Sequence, residues 1–385
     1  MGQEEPQREA ERQEGQPVGG LPSKRMLRNG ILISVALSVI ALTVISLLTM
    51  DRRTFDALRS TRPAYMVLAF VIGSTRPVWS AFRLRLLVRA NGGHISLPNA
   101  LKIVYTGALT GAVTPLRAGG VSAEAYLLYR YALPGAEAVA VIALGACISV
   151  ILLLLSLPLV LGLGAEVLHL SFTLRGVLYL ASGIGILFIV MVIYSLHSPE
   201  RALDQVLLRM APRRLRGKPS YQHFTHSLGV EAQSFRDSIR LMVRMGVTDI
   251  AVAFVYTLLF WISGFIVIPI VLLGLGYPGL FAKALVGQMV VATLLPFIPT
   301  PGGSGVGEAG FAAVFNNVVP SFLVGLLAVV WRFFDFYLSI ILGGIALLAV
   351  LRDFRRGPVR EMDGEPGAID ALRIPEAPGD APRKD

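Results

Sequence analysis

The sequence predicts an all-α integral membrane protein with about six spanning helices and two re-entrant broken-helix hairpins, a layout open to an inverted repeat. Three observations carry that prediction. Of 385 residues, 54% are hydrophobic and only 16% charged, less charge than a soluble domain of this length shows. The apolar residues run in long blocks rather than in an amphipathic rhythm. The segment 294–311, LLPFIPTPGGSGVGEAGF, crowds prolines, glycines and one carboxylate between two apolar runs. Irregular backbone at membrane depth leaves unpaired N–H and C=O groups, each costing several kcal/mol, so it survives only inside protein or against a water-filled cavity.

The spanning blocks cover residues 31–48, 64–82, 139–163, 174–196, 250–275 and 322–351. Each reaches the roughly 17–25 residues a crossing helix needs. A polar N-terminal tail (1–26) precedes the first block. It is too long for a secretory n-region, and no A-x-A-like site follows Leu48, so residues 31–48 read as a retained signal anchor. The transmembrane domain spans 27–353 and contains a basic linker, 198–246, in which Phe235, Ile239, Met242 and Val243 alternate with Arg236, Arg240 and Arg244. That spacing suits either an amphipathic surface helix or a solvated basic face. The tail 354–385, rich in Pro, Gly and acids towards its end, is expected to be disordered.

Charge placement sets the expected orientation. Lys24, Arg25 and Arg28 precede the first span, Arg83, Arg85 and Arg89 follow the second, the 198–246 linker is basic, and Arg352, Arg355, Arg356 and Arg360 follow the last span. All of these, with both termini, are expected in the cytoplasm of a cell (plasma or inner) membrane protein. Arg52, Arg53, Arg59 and Arg62 then fall outside, within reach of lipid phosphates. The net charge of +10 flanks apolar spans and is not interleaved with aromatics on a soluble face, so no nucleic-acid partner is expected. The single cysteine, Cys147, lies in a predicted span and excludes a disulfide framework. His223 and His226 have no Cys or third His nearby, so no metal is expected, and no cofactor is implied.

Under that orientation two segments enter and leave on the same side. Residues 99–113, the break TPLRAGG and residues 121–131 form one; residues 280–295, the break PFIPTPGGSG and residues 306–318 form the other. GVGEAG at 305–310 formally matches G-x-G-x-x-G, but prolines stand where the dinucleotide fold needs a strand, and no acid follows about twenty residues on. The surviving physics is local. Glycines permit close backbone approach, and the half-helix starting near Gly305 points free N–H groups and a positive dipole end into the break.

Charged side chains inside these segments are the candidate site. Glu308 caps the second half-helix for roughly 0.3–1 kcal/mol, against a cost of roughly 2.5–3.5 kcal/mol for a charge at the bilayer centre. It therefore also reads as a ligand for a cationic group, a proton or a neighbouring arginine. Arg332 and Asp335, at i, i+3 in the last span, either neutralise each other or let Arg332 grip a phosphate while Asp335 orients it. Arg117 sits in the first break with Glu124 seven residues on, either as a local pair or as headgroup ligands, and Lys102 and Lys283 lie one in each leading half-helix.

PTPGGSGVGEAGF resembles the PTPGG-x-G-x-x-E-A signature of the lysylphosphatidylglycerol synthase transmembrane region, also called the flippase-like domain family. TPLRAGGVSAEAYLL is similar to its first-half motif, FRLRLLVRANGG to its RW-x-x-LL segment and WRFFDFYL to its late arginine helix. The resemblance covers roughly residues 27–353. By position it carries over Arg117, Gly119, Gly120, Pro299, Pro301, Gly302, Gly303, Gly305, Glu308 and Arg332 as motif residues. Val121 stands where many members have an acid and Glu124 near a common basic position, which rearranges polarity at the first break. The family implies a multi-pass protein associated with lipid translocation, sometimes fused to an aminoacyl-lipid synthase domain, for which this chain offers no segment.

These readings lead to a translocator of a phosphate-bearing lipid (phospholipid, aminoacyl-phospholipid or polyprenyl-linked), with Arg117, Gly119, Gly120, Glu124, Gly302, Gly303, Gly305, Glu308, Arg332 and Asp335 as the headgroup site. Membrane lipids are the expected partners, and homo-oligomerisation or association with lipid-modifying or glycosyl-transfer enzymes is compatible with this. A secondary transporter of a small solute is the alternative. An accessory subunit or enzyme of lipid or glycan synthesis ranks below both, because no nucleophile–base pair or metal spacing occurs within the spans. No Walker motif is present.

Overall fold

The computed structural model describes residues 21–167, scattered positions between 176 and 190, and 245–356. The described residues are helical with no strand, and four helices are long and apolar enough to cross a membrane: Arg25–Thr49, Glu137–Ser156, Val247–Gly274 and Ser321–Arg355. The chain is an all-α membrane protein. Most of the 174–196 block, nearly all of the 198–246 linker and the tail beyond 356 lie outside the described residues.

Helix α1 (Lys24–Thr49) starts where the Ser23 hydroxyl accepts the Met26 N–H, and a short α2 (Arg52–Arg59) starts under the Asp51 carboxylate. Then come α3 (Pro63–Ser74) and α4 (Arg76–Ala90), joined by a bend at Thr75. Pro77 removes the N–H that would bond back across the joint, so the rod kinks instead of running straight. Its second arm is longer than expected. Residues 83–90 continue the helix, so Arg83, Arg85 and Arg89 are helical and not in a loop after the span. Basic side chains read as a boundary, but their aliphatic stems pack while neighbouring Leu84, Leu87 and Val88 are buried.

The first hairpin is α5 (Leu97–Val113), a tight turn Pro115–Arg117, and α6 (Ala118–Tyr131); α7 (Gly135–Val167) follows. After the undescribed segment the order repeats. A bent rod comprises α8 (Val247–Phe265) and α9 (Val267–Gly274), with Pro269 just past the joint. The second hairpin is α10 (Phe281–Leu294), turns at Leu295–Phe297 and Pro301–Gly303, and α11 (Val306–Phe315). A long helix closes the half, made of α12 (Ser321–Arg332), a π-helical turn Phe333–Tyr337, and α13 (Leu338–Arg355).

The two bent rods lie antiparallel, α4 on α8 and α3 on α9, and the Arg62 N–H donates to the Gly274 carbonyl at 3.0 Å. Each hairpin then packs its first arm on the long helix of the other half, α5 on α13 and α10 on α7. This exchange is the arrangement of an inverted repeat. Two apolar cores result, one around α4, α5, α6 and α7, the other around α9, α10, α11 and α12. The hairpin turns meet between them.

Candidate functional site

Both turns are built from the same backbone device. Thr114-Pro115-Leu116-Arg117 and Thr300-Pro301-Gly302-Gly303 each begin with an extended threonine (φ −112, ψ 146 and φ −83, ψ 151). The third residue is left-handed in both, Leu116 at φ 53, ψ 16 and Gly302 at φ 59, ψ 16, and so is the fourth, at φ 58 and φ 68. Glycine adopts that conformation freely, whereas Leu116 and Arg117 each give up about 1–2 kcal/mol. The turns touch, and Gly302 sits so close to α5 that a Cβ there would lie 2.5 Å from the Ala112 carbonyl oxygen.

Behind the second turn lies a fully buried ion pair. Glu308, in the first turn of α11, accepts the Gly305 N–H through Oε2 at 2.7 Å, while its Oε1 lies 2.7 Å from Arg332 Nε. The Nε–H itself points to Ser38 Oγ on α1 (3.2 Å), so the carboxylate contact is electrostatic. Arg332 Nη2 donates to Ser304 Oγ at 2.6 Å, and its guanidinium stacks 4.2 Å over the Phe336 ring. Both side chains have no solvent exposure. The anion site promised by the α11 N-terminus is thus filled by the chain's own carboxylate.

In front of the first turn the chemistry is looser. Asp335 lies 3.2 Å from Arg76 and 3.8 Å from Arg117, so two guanidiniums share one carboxylate. Arg76 stacks on Phe260 and Trp261, with its guanidinium 4.4 and 5.5 Å from the ring centres. Arg117 remains 38% exposed. Nearby, Arg83 is held by the neutral hydroxyls of Ser149 (2.5 Å) and Thr257 (3.2 Å). Glu124 packs over Gly107 and makes no ion pair within 4 Å among the described residues; Arg83 and Arg117 are the charges that face it. Arg76 Nε, Arg332 Nη1 and Thr300 Oγ1 are buried without a hydrogen-bond partner among the described residues. Among those residues no group of His, Cys, Asp and Glu could hold a metal ion.

The sequence model of the lysylphosphatidylglycerol synthase TM region matches residues 31–343, which include every one of these groups. The chain belongs to that family. It is also similar to a UPF0104 membrane protein of Archaeoglobus fulgidus, 24% identical over 322 residues, covering 83% of this chain and 95% of the relative. The resemblance seen in the motifs therefore extends over most of both sequences.

Within this family member the sequence-derived residues separate into two groups. Gly302, Gly303, Gly305, Glu308 and Arg332 come together around the second turn, with Gly303 and Gly305 at φ +68 and +83. Arg117, Gly119, Gly120, Glu124 and Asp335 gather at the first. There the Gly119 N–H donates to Thr114 Oγ1 at 2.9 Å, and a Cβ on Gly120 would lie 2.9 Å from the Gly107 carbonyl. Two expected local pairings do not form. Arg332 and Asp335 share no bond, because the π turn Phe333–Tyr337, closed by the Leu338 N–H on the Phe333 carbonyl, re-aims Asp335 away from Arg332. Arg117 pairs with Asp335 rather than Glu124: the backbone from Ala118 to Glu124 is helical, but Arg117 itself is left-handed (φ 58, ψ 20) and stands outside the helix that would align the two side chains. Lys102 serves the periphery, 2.6 Å from Asp353, which also accepts the Tyr131 hydroxyl.

Sequence reasoning missed Arg76 and Arg83. Arg76 lies inside the 64–82 apolar run, where an ionisable residue is itself a signal. Arg83 was masked by its neighbours Arg85 and Arg89, which give the stretch the look of a basic loop.

Proposed function

We propose that this chain carries a phosphate-bearing lipid between the leaflets of a cell membrane, and that the first turn is where the headgroup phosphate is held. One observation supports this reading above the rest. Arg117 is partly exposed at the meeting point of the two hairpins, and its only carboxylate partner among the described residues is 3.8 Å away and already engaged by Arg76. A phosphate arriving there replaces a long, shared ion pair with direct charge-assisted hydrogen bonds. Arg76 Nε and Thr300 Oγ1, buried and unpartnered in the same region, supply further donors. Buried unpaired donors cost about 1–3 kcal/mol each, so a site containing them favours an acceptor.

The family supports a lipid-related role. No chemical conversion is assigned to the chain. Basic flanks support a cytoplasmic side for both termini, which reporter fusions at each end check directly.

The test is a leaflet-resolved assay on the purified chain in liposomes with a fluorescent phosphatidylglycerol and an outer-leaflet quencher. The chain accelerates exchange, and Arg117→Gln slows it roughly tenfold or more, the loss expected for a charge-assisted hydrogen bond of about 1.5–3 kcal/mol. Unchanged exchange in R117Q removes Arg117 from the site. If the wild-type chain leaves lipid asymmetry intact, a solute transporter becomes the better reading.

A further inference from the structure

A second basic site lies on α4, on the side away from the hairpin turns. Phe82, Arg85, Leu86 and Arg89 follow i, i+3, i+4, i+7 spacing and so form one stripe of the helix. The chain turns at Gly92, φ +76, and Gly93, His94 and Ile95 fold back along that stripe. Arg85 Nε fastens the fold by donating to the Ile95 carbonyl at 3.1 Å. With Tyr256 from α8 these residues enclose a cleft of about 370 Å³. That volume lies within the roughly 300–1,000 Å³ typical of small-molecule sites.

The lining has two kinds of wall. Arg85, Arg89 and His94 supply cationic or donor groups, and none of the eight lining residues is acidic. The nearby Glu137 is occupied with Asn91 at 3.3 Å. The Arg85 terminal nitrogens have no partner among the described residues, while Arg89 and His94 are exposed. The other wall is an aromatic ladder. Tyr256 stacks on Phe82 (5.7 Å, 22°) and on Trp79 (6.5 Å, 22°), with Leu86 beside them. Amphipathic aromatics followed by arginines, at the end of a bent rod, mark the level where acyl chain gives way to headgroup.

We infer that this cleft is a binding site for the headgroup of an anionic phospholipid, with the phosphate on Arg85, Arg89 and His94 and the start of the acyl chains along Phe82, Leu86 and Tyr256. A free phosphate would use the basic wall but gain nothing from the aromatic one; the pairing of both walls selects an amphiphile. The site is separate from the Arg117 turn, because Arg83 on the same helix points the other way, to Ser149 and Thr257. It holds whether or not the chain moves lipid.

Native mass spectrometry of the full chain in detergent tests it, titrating phosphatidylglycerol, phosphatidylcholine and inorganic phosphate. The double variant R89Q/H94N alters only exposed side chains and leaves the Arg85–Ile95 clamp in place; R352Q/R355Q removes two exposed basic residues from α13. Phosphatidylglycerol is expected to bind R89Q/H94N about tenfold more weakly than the wild type and R352Q/R355Q unchanged, because only the first pair lines the cleft. Phosphatidylcholine is expected to bind weakly throughout, and millimolar phosphate not to displace the lipid. Equal loss in both variants, affinity of R89Q/H94N within twofold of wild type, equally tight phosphatidylcholine, or displacement by free phosphate each overturns the proposal.

Discussion

The two hairpin turns share a backbone and differ in chemistry. Thr300-Pro301-Gly302-Gly303 uses glycines where the chain is left-handed, is packed against α5, and stands before a carboxylate locked to Arg332 with no exposure. Thr114-Pro115-Leu116-Arg117 puts a leucine and an arginine into the same two conformations, leaves Leu116 57% exposed, and stands before Glu124, which makes no ion pair among the described residues. One turn is relaxed and neutralised; the other holds strain and unspent charge. Strained backbone persists where surrounding structure over-determines it, and it clusters at working sites. The comparison teaches that one turn geometry can serve a packed, neutralised position in one hairpin and a strained, partly exposed one in the other.

Replacing one member of the buried pair gives the strongest test of that contrast. Glu308→Gln leaves the Arg332 guanidinium buried without its counter-charge and is expected to cost about 3–5 kcal/mol, seen as a large fall in thermal unfolding temperature in detergent. Arg117→Gln, at a partly exposed and shared pair, is expected to cost no more than about 1 kcal/mol. If the two variants melt together, the division into a neutralised and an unneutralised turn is wrong.

Exchanging the turn residues sharpens it further. Gly302→Ala meets both the left-handed penalty and the Ala112 carbonyl, and is expected to lose about 1–3 kcal/mol. Leu116→Gly relieves the same penalty on the other side and is expected to gain about 1 kcal/mol. Denaturation of the two variants side by side reads the opposite signs; a destabilised Leu116→Gly would mean that the leucine contributes contacts worth more than its strain.

The smallest effect concerns Arg76. Arg76→Lys keeps the charge next to Asp335 but forfeits the planar stack on Phe260 and Trp261, for a loss of about 0.5–1 kcal/mol. A double-mutant cycle with Asp335→Asn should return a coupling well below that of Glu308 with Arg332. Equal couplings would place both clusters in the same class of environment.

Much of this architecture was legible beforehand. Long apolar blocks with prolines and glycines between them have few solutions in a membrane, so the hairpins expected at 99–131 and 280–318 and the spans expected from residues 31, 139, 250 and 322 each meet helices, whose observed starts lie up to seven residues away. Motif residues Arg117, Glu308 and Arg332 stood out because ionisable groups in lipid are costly. Less legible were the ends and bends of elements. The α4 arm ran eight residues past its expected end because arginine stems pack as well as they solvate.

Partner choice lay largely beyond the sequence, which offered a neighbouring arginine as one of three readings of Glu308 without saying which. Asp335 looked like the mate of Arg332 three residues away, and only the π turn turned it towards Arg76 and Arg117, residues far off in the chain. Ser38 and Ser304 meet Arg332 because α1 and the second turn pack against the same helix. Composition and period determined that the chain is an all-α membrane protein with two broken hairpins, because desolvation acts on each segment locally. Tertiary structure alone decided which charges neutralise one another and which stay shared or partly exposed, because that depends on side chains brought within a few ångströms by helices distant in sequence.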